Sequence, residues 1–531
     1  MHKRVKMKTT TQQFIQALQN ASFYDHSTSN IQLIETHISW VLLTGEFVYK
    51  IKKPVNLGFL DFSTLEKRHH YCCQELKLNS RLAAEYYLDV VSITGTMQSP
   101  KLNGPGEVIE YAVKMKQFPQ QAQLDRMLAK QALSAKHMKC LAEKIAEFHG
   151  AVSVADSSSL HGDLDHVHKP VMDCYDNIIN QITDTNALDR ITRLQQWSNT
   201  MFQQLTETFI LRKKHGFIRE CHGDLHLRNI AIVNENVIAF DGIEFSENLR
   251  WIDVISEIAF LIMDLDDHNE SGYGNIFLNR YLEISGDYMG LKVLPYYLVY
   301  RAIVRAMVAS IRLNQENITE QEALDAKTEF FSYLDLAEKY IKKMPSGLLI
   351  SNGFSGSGKT HFSSQLMQFI PMIRLRSDVE RKRLSGVAEL NRNEKGINAG
   401  IYSAEMSEKT YQYLQGLAKE LLQLNRIVLI DATFLKEHDR FEFRKLANEF
   451  SIPFLILHCT APLDVMKQRI TERATNNADA SDADLNVLEN QLATSQQFSE
   501  VEHQFLIEID TSNADVISLF LPTIKSHLNL N

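Results

Sequence analysis

The spacing of apolar residues predicts two architectures along the chain. Residues before about 344 combine short alternating strands with long helical stretches, which is typical of an α+β fold. The strands are predicted near 31–51, 87–93, 107–115, 230–233 and 237–240, with a proline- and glycine-rich loop at 100–106. Helices are predicted within 1–30, 64–83, 124–215 and 250–343.

The pattern changes after Pro345 and Gly347, which end a helix and precede a new apolar strand. From there, strands and helices alternate, which predicts βαβ units and a parallel sheet. The predicted strands are 348–352, 372–376, 427–431, 454–459 and 505–510. We therefore predict two domains, 1–343 and 344–531.

Composition narrows the class of protein. The 531 residues include 44% hydrophobic and 23% charged side chains, which excludes a disordered chain. The formal net charge of −9 lacks the broad basic field of a duplex-DNA binder, so no duplex nucleic acid partner is expected. Six cysteines without a C-x-x-C pair favour a location in the reducing cytoplasm. The apolar runs are too short to span a bilayer, so no membrane partner is expected.

A phosphate-binding motif follows the first strand of the second part. Gly353 to Thr360 fits G-x-x-x-x-G-K-[ST] between a strand and a helix, so we expect ATP and Mg²⁺ here rather than a chance glycine-rich turn. Lys359 would reach the β- and γ-phosphates, and the Thr360 hydroxyl would sit on Mg²⁺. The other nucleotide-binding candidates are Gly353, Ser355, Gly356, Ser357 and Gly358.

Further candidates lie after the later strands. Asp378 could take a proton from an acceptor hydroxyl while Arg381 holds an anionic group, or Asp378 could be a helix N-cap. Asp431 could hold Mg²⁺ through water or cap the next segment. Arg469 and Arg473 precede a polar loop at 476–484 and could close over the phosphates, or form a solvated basic face.

These residues resemble those of small P-loop phosphotransferases, the group of polynucleotide 5′-kinases, zeta toxins and gluconate kinases. The spacing Asp378-x-x-Arg381 is similar to the base and acceptor-phosphate arginine of polynucleotide kinases. The resemblance implies a P-loop kinase but leaves the acceptor open.

A second motif lies at 221–229, where His222-Gly223-Asp224 is followed by Asn229 and, after two strand-like runs, by Asp241. In phosphoryl transfer one Asp orients the acceptor hydroxyl, and an Asn and a second Asp hold Mg²⁺. The order resembles that of aminoglycoside phosphotransferase-like and choline-kinase-like enzymes. This resemblance implies a bilobal protein-kinase-like α+β domain, followed here by the α/β P-loop domain with its parallel sheet.

A kinase-like lobe also needs a strand lysine and a helix glutamate. We predict Lys50 and Glu75 for these roles, with Lys52 and Lys53 as rivals of the lysine and Glu66 as rival of the glutamate. No G-x-G-x-x-G loop is present, and only Thr44-Gly45 marks the turn before Lys50.

The leading hypothesis is an ATP-dependent phosphotransferase with two nucleotide-binding halves, each acting on a hydroxyl acceptor. As a whole the chain resembles an aminoglycoside phosphotransferase-like domain fused to an AAA-type ATP-binding domain. The glycine-poor turn favours an alternative, a regulatory or scaffold protein in which only the P-loop half hydrolyses ATP. A second alternative is 5′-end kinase activity on nucleic acid, for which a basic cluster supplies local charge: Arg374, Arg376, Arg381, Lys382 and Arg383.

Overall fold

A computed structural model describes residues 11–58, 60–315, 318–387, 403–476, 481–513 and 515–530. The chain divides into two compact units, each formed from several stretches of sequence. The first unit contains the described residues up to 137 together with 147–177 and 202–264, and the second contains 138–146, 178–201 and the described residues from 265 onward. The division of the sequence into the domains 1–343 and 344–531 stays a prediction.

The first unit contains an antiparallel sheet of six strands in the order β1-β2-β3-β6-β4-β5. The strands are β1 (Gln32–Glu35), β2 (Ser39–Leu43), β3 (Phe47–Lys52), β4 (Tyr87–Thr96), β5 (Ser99–Leu102) and β6 (Val108–Lys116). The sequence prediction of a loop at 100–106 was wrong at its start, because β5 pairs there with β4. Pro100 is tolerated in β5 because this strand lies at the sheet edge, where a missing N–H costs little.

The helices of the chain up to residue 343 begin with one over 11–18, called α1. The others are α2 (Leu65–Ala83), α3 (Leu124–Ala129), α4 (Ala135–Ala151), α5 (Leu164–Ile179), α6 (Thr185–Lys214), α7 (Glu247–Arg250), α8 (Val254–Asp267), α9 (Ser271–Ser285), α10 (Leu294–Leu313) and α11 (Glu320–Tyr340). Across the ranges described above, no helix combines the length and the apolar content that crossing a membrane requires.

Two small antiparallel ladders follow the long helices. They pair β7 (Ile218–Glu220) with β10 (Trp251–Asp253), and β8 (Ile230–Val233) with β9 (Asn236–Ala239). Sequence analysis missed β7 and β10, since three residues are too few to show an alternating pattern. The predicted α+β class of this part is nevertheless confirmed.

The second unit carries a parallel sheet in the order β12-β13-β11-β14-β15. Its strands are β11 (Gly347–Asn352), β12 (Met372–Arg376), β13 (Ile427–Asp431), β14 (Phe454–Thr460) and β15 (Leu506–Asp510). Besides α9, α10 and α11, this unit contains the helices that follow residue 344: α12 (Lys359–Leu366), α13 (Ser377–Leu384), α14 (Ala404–Gln423), α15 (Glu437–Glu449), α16 (Leu463–Asn476), α17 (Leu485–Thr494) and α18 (Val516–His527). All ladders are parallel, so the predicted α/β class is confirmed, and ligands are expected at the carboxyl ends of the strands.

Candidate functional site

The first unit brings the predicted lysine and glutamate together. Lys50 lies on β3, and its Nζ is 2.8 Å from Oε1 of Glu75 on α2. The rival Glu66 is exposed in the first turn of α2, which Thr64 caps. The geometry therefore selects Glu75 as the acid that faces β3.

Lys52 shares the carboxylate of Glu75. Because side chains alternate along a strand, Lys52 lies on the same face as Lys50. Its Nζ is 2.6 Å from Oε2 of Glu75 and also pairs with Glu244, and only 1% of its side chain is exposed. Glu244 was not a candidate in the sequence; the only available signal was its position three residues after Asp241.

Asp224 and Asn229 lie in one tight loop between β7 and β8. The Asn229 side-chain amide donates to the Asp224 carbonyl at 3.1 Å and to its carboxylate at 2.9 Å. His226 Nε2 lies 3.3 Å from the same carboxylate, of which 35% is exposed. The carboxylate is thus oriented by its own loop and remains open to an acceptor.

Asp241 follows β9 and joins this group. The N–H of the preceding Phe240 donates to the Asn229 carbonyl at 2.9 Å, and the Asp241 carboxylate pairs with Lys50. Burial alone would lower the pKa of Lys50, but the carboxylates of Asp241, Glu75 and Glu244 raise that pKa well above its usual value. The structure therefore brings Lys50 from a distant part of the sequence to Asp241, and the backbone beside Asp241 is bonded to the loop of Asp224 and Asn229.

A fully buried glutamate supports the loop that carries Asp224 and Asn229, and sequence analysis missed it. Glu257 on α8 accepts the backbone N–H groups of His222 at 3.0 Å and Gly223 at 2.7 Å, and His149 Nε2 lies at 3.2 Å. Burial raises the pKa of Glu257, but His149 and the N–H of Gly223 lower it to about 2. The ligand atoms of His149, Cys221 and Glu257 lie within 4.8 Å of one another, close enough to hold a metal ion. Both carboxylate oxygens of Glu257 already accept backbone hydrogen bonds, so we interpret these three residues as a support of the loop.

The phosphate loop of the second unit joins the central strand β11 to α12. Gly358 has φ +85°, and a Cβ there would lie 2.6 Å from Thr511 Oγ1; at Gly356, φ is +81° and a Cβ would lie 2.6 Å from the Met466 carbonyl oxygen. Only glycine fits such positive φ values and close approaches. The glycines therefore let the backbone curl tightly at the start of α12, as a phosphate-binding loop requires.

Lys359 folds back over this loop. Its Nζ donates to the carbonyls of Gly353 at 2.9 Å and Phe354 at 2.8 Å. Burial lowers the pKa of Lys359, and the charges of Asp431 and Asp378 offset part of that effect. The ammonium group lies where it can exchange these carbonyls for phosphate oxygens.

One side-chain oxygen of the loop makes no hydrogen bond within the described protein, whereas a neighbouring N–H does. Ser357 Oγ is fully buried and has no hydrogen-bond partner among the residues that the structure describes. Ser355 contributes its N–H, which donates to the Gln491 side chain of α17 at 2.8 Å. A buried polar atom without a partner in a glycine cradle fits a polar ligand such as a triphosphate.

Asp431 ends β13 beside the start of α12. Its carboxylate lies within 3.4 Å of Ser351 Oγ and 3.3 Å of Ser363 Oγ, and only 5% of the residue is exposed. Thr360 lines the same cleft. A carboxylate and a hydroxyl are oxygen ligands of the kind that Mg²⁺ prefers, so the residues present fit the expected ion.

Asp378 and Arg381 form an ion pair at 2.9 Å on α13, and both line the cleft. The alternative role of Asp378 as N-cap is wrong, because Arg376 occupies that position and Asp378 lies inside the first turn. The pair can therefore face an acceptor, although its predicted catalytic role stays a prediction.

Arg469 and Arg473 also line the cleft but contact protein groups. Arg469 donates to the Gly356 carbonyl at 3.2 Å and to Thr511, while Arg473 donates to the Ala483 carbonyl at 3.0 Å. Arg469 thus braces the phosphate loop. Closure over the phosphates stays a prediction, and residues 477–480 of the predicted loop lie outside the described residues.

The cleft around these residues has a volume of about 1350 Å³. Beyond the phosphate loop it extends along α14 and α15, where it is lined by polar and acidic side chains: Glu405, Glu408, Gln412, Gln415, Asp439 and Glu442. Its size leaves room for an acceptor beside a nucleotide.

The basic cluster predicted near α13 is not an open positive surface. Arg374 is 4% exposed and pairs with Glu283 on α9, and Lys382 is 1% exposed and pairs with Asp482 at 3.0 Å. Arg383 pairs with Glu380. The expectation that these residues supply local charge to a nucleic acid is therefore contradicted for Arg374 and Lys382.

Comparison with known proteins finds similarity in sequence and in structure. A protein of Mycobacterium tuberculosis, described as uncharacterized, is 28% identical over 451 residues, which are 85% of this chain and 88% of that protein. The amicoumacin kinase hAmiN, solved with AMP-PNP, Ca²⁺ and Ami, is 13% identical with a TM-score of 0.38, covering 63% of this chain and 96% of its own.

A third likeness is to a putative aminoglycoside phosphotransferase of Ralstonia eutropha JMP134, which is 13% identical with a TM-score of 0.35. It covers 62% of this chain and 96% of its own. Residues 348–498 match the family described as an AAA domain, so the resemblance of this part of the chain to an AAA-type ATP-binding domain is confirmed. On a parallel sheet with the phosphate loop after its central strand, these residues form an AAA-type P-loop domain.

Proposed function

We propose that the chain is an ATP-dependent phosphotransferase with two nucleotide sites, one in each unit. The observation that carries the proposal is common to both sites: a buried lysine lies near an aspartate that can serve a metal. Lys50 pairs with Asp241, and the charge of Asp431 acts on Lys359. Kinase and P-loop folds support phosphoryl transfer from ATP in general.

In the proposed reaction, the acceptor oxygen forms a bond to the γ-phosphorus, and the bond from that phosphorus to the β,γ-bridging oxygen breaks. ADP leaves with the bridging oxygen, and the hydroxyl proton passes to Asp224 in the first site or Asp378 in the second. Lys50 and Lys359 hold phosphate oxygens. Asn229 and Asp241 in the first site, and Thr360 and Asp431 in the second, would hold Mg²⁺, which would supply positive charge to the phosphate oxygens.

We propose a small hydroxyl compound as acceptor of the second site rather than a nucleic acid end. The support is electrostatic: Arg374 and Lys382 are buried in ion pairs, and the far wall of the cleft carries acids such as Glu408 and Asp439. An oligonucleotide backbone would be repelled by that wall. A cytoplasmic location, inferred from the cysteine content, belongs to the same proposal.

The test measures how many ATP molecules the full chain binds with Mg²⁺ by calorimetry. We expect two for the unaltered protein, one for Lys359→Ala and one for Asp241→Asn, with Lys136→Ala, an exposed lysine, as control. If the unaltered protein binds a single ATP and only Lys359→Ala abolishes this binding, the first site is overturned. The alternative of a scaffold protein, in which only the P-loop half binds ATP, would then remain. Transfer of labelled phosphate to a 5′-hydroxyl oligonucleotide, but not to sugars or nucleosides, would overturn the acceptor class.

A further inference from the structure

Helix α9 lies along the edge of the parallel sheet and completes its hydrogen bonding. Strand β12 is the edge strand, with one neighbour, β13. The Asn279 side-chain amide donates to the Met372 carbonyl at 2.9 Å and accepts the Arg374 N–H at 2.7 Å. One side chain thus replaces the peptide group that a further strand would offer. Asn275 adds bonds to the carbonyls of Met367 and Ile370.

One helical turn beyond Asn279, α9 places a carboxylate against the same strand. Glu283 Oε1 lies 2.7 Å from Nη2 and 3.1 Å from Nε of Arg374. The two side chains are 1% and 5% exposed. A guanidinium group buried this deeply needs a carboxylate to compensate its charge, and Glu283 supplies it.

The remaining nitrogen of Arg374 reaches the helix that follows the phosphate loop. Nη1 donates to Ser363 Oγ at 3.0 Å and Ser364 Oγ at 2.8 Å, and it lies 3.4 Å from the Thr360 carbonyl. Ser363 Oγ in turn lies 3.3 Å from Asp431 Oδ2. Because Arg374 donates to the Ser363 oxygen, the hydroxyl proton of Ser363 is directed to Asp431 or to the Thr360 carbonyl.

We propose that Glu283 and Arg374 are positioning residues of the P-loop site, acting through Ser363 on Asp431 and on the first turn of α12. This inference rests on the proposed function of that site. It makes α9, which precedes residue 344, part of the support of the nucleotide site. Ser363 is one hydrogen bond from Asp431, Arg374 is two and Glu283 is three. Groups that orient a metal-binding side chain in this way raise its affinity for the metal.

The test uses the full chain with Asp241→Asn, so that only the P-loop site binds ATP. Calorimetry with ATP, with and without Mg²⁺, compares Glu283→Gln with Glu502→Gln. Glu502 forms a buried pair with Arg440 in the same unit, so the control removes a similar charge. We expect Glu283→Gln to weaken Mg²⁺-dependent ATP binding by about 10-fold, the lower end of the range for a direct partner of a metal ligand, and to leave Mg²⁺-free binding unchanged.

Equal loss of ATP binding with and without Mg²⁺, or an equal effect of Glu502→Gln, would reduce the pair to a purely structural role and overturn the inference. If Glu283→Gln does not fold, Ser363→Ala decides, since it breaks the same path without burying a lone charge. Unchanged Mg²⁺-dependent binding by Ser363→Ala would overturn the inference. The Asp241→Asn protein should bind one ATP, and adding Lys359→Ala should abolish that binding. If the Asp241→Asn protein binds no such ATP, the proposed function itself is overturned.

Discussion

The two candidate nucleotide sites present positive charge to a triphosphate by opposite means. The first collects side chains, with Lys50 paired to a carboxylate 191 residues further along the chain. The second uses main-chain N–H groups and one lysine within 353–360. A side-chain site depends on charges that compensate one another after folding, whereas a main-chain site depends on local backbone conformation. Substitutions should therefore damage the two sites in different ways.

The largest effect is expected where the first site buries charge. Lys52→Ala leaves Glu75 and Glu244 without a shared partner, so we expect the first unit to lose about 3–5 kcal/mol of stability. Lys50→Ala leaves Glu75 paired with Lys52, so it should abolish ATP binding at that site with a smaller loss of stability. Hydrogen exchange at the amides of β3 and α2 measures the difference. Equal destabilisation by the two variants would contradict the division of roles.

The next largest effect is the loss of stability at low pH that Glu257 causes. The pKa of Glu257 is about 2 in the folded protein, below the ordinary glutamate value of 4.5, because the effect of burial is outweighed by His149 and the N–H of Gly223. The ionised carboxylate therefore stabilises the first unit above about pH 4.5, and this contribution, about 3 kcal/mol, is lost as the pH falls toward 2.

We expect Glu257→Gln to be less stable near neutral pH and to show a shallower loss of stability between pH 4.5 and 2 in thermal unfolding. Glu235→Gln, at a side chain that is 84% exposed, serves as control and should follow the unaltered protein. A Glu257→Gln profile parallel to that of the unaltered protein would refute the assignment.

Much of the second site could be predicted from sequence because its parts are contiguous. The motif from Gly353 to Thr360 places donors and lysine in one loop, and the strand ahead of Asp431 is apolar enough to recognise. Glu244, Glu257 and Glu283 could not be found in this way. Each contacts a partner far along the chain, and a glutamate in a helix or loop carries no local pattern that separates a buried partner from a solvated one.

For the same reason the charges of Arg374 and Lys382 were misjudged. Their spacing indicates a charged helix start, but Arg374 faces Glu283, more than ninety residues earlier, and Lys382 faces Asp482, one hundred residues later. Periodicity locates such a residue on an element; only the packing of another element shows that its charge is already compensated.

A backbone substitution should damage the second site selectively. Gly358→Ala puts a methyl group 2.6 Å from Thr511 Oγ1 at φ +85°, at a cost of about 1–3 kcal/mol, so the loop must change shape and lose ATP. Gly416→Ala is the matched control, because this helical glycine faces open space and alanine there should stabilise by about 0.5–1 kcal/mol. Calorimetry should show one ATP retained by Gly358→Ala; retention of both would mean that the loop does not bind phosphate.

The smallest expected effect is on ATP affinity and concerns the hydrogen bond between Gln491 and the N–H of Ser355. Gln491 Oε1 occupies the N–H of Ser355, which a main-chain phosphate site would give to the ligand. Gln491→Ala frees that donor, so we expect ATP to bind the second site about fivefold more tightly, the equivalent of one hydrogen bond of about 1 kcal/mol. Gln412→Ala, in the same cleft on α14, should leave the affinity unchanged. Weaker binding by Gln491→Ala would mean instead that α17 supports the loop in its binding conformation, and that this site, like the first, relies on a distant side chain.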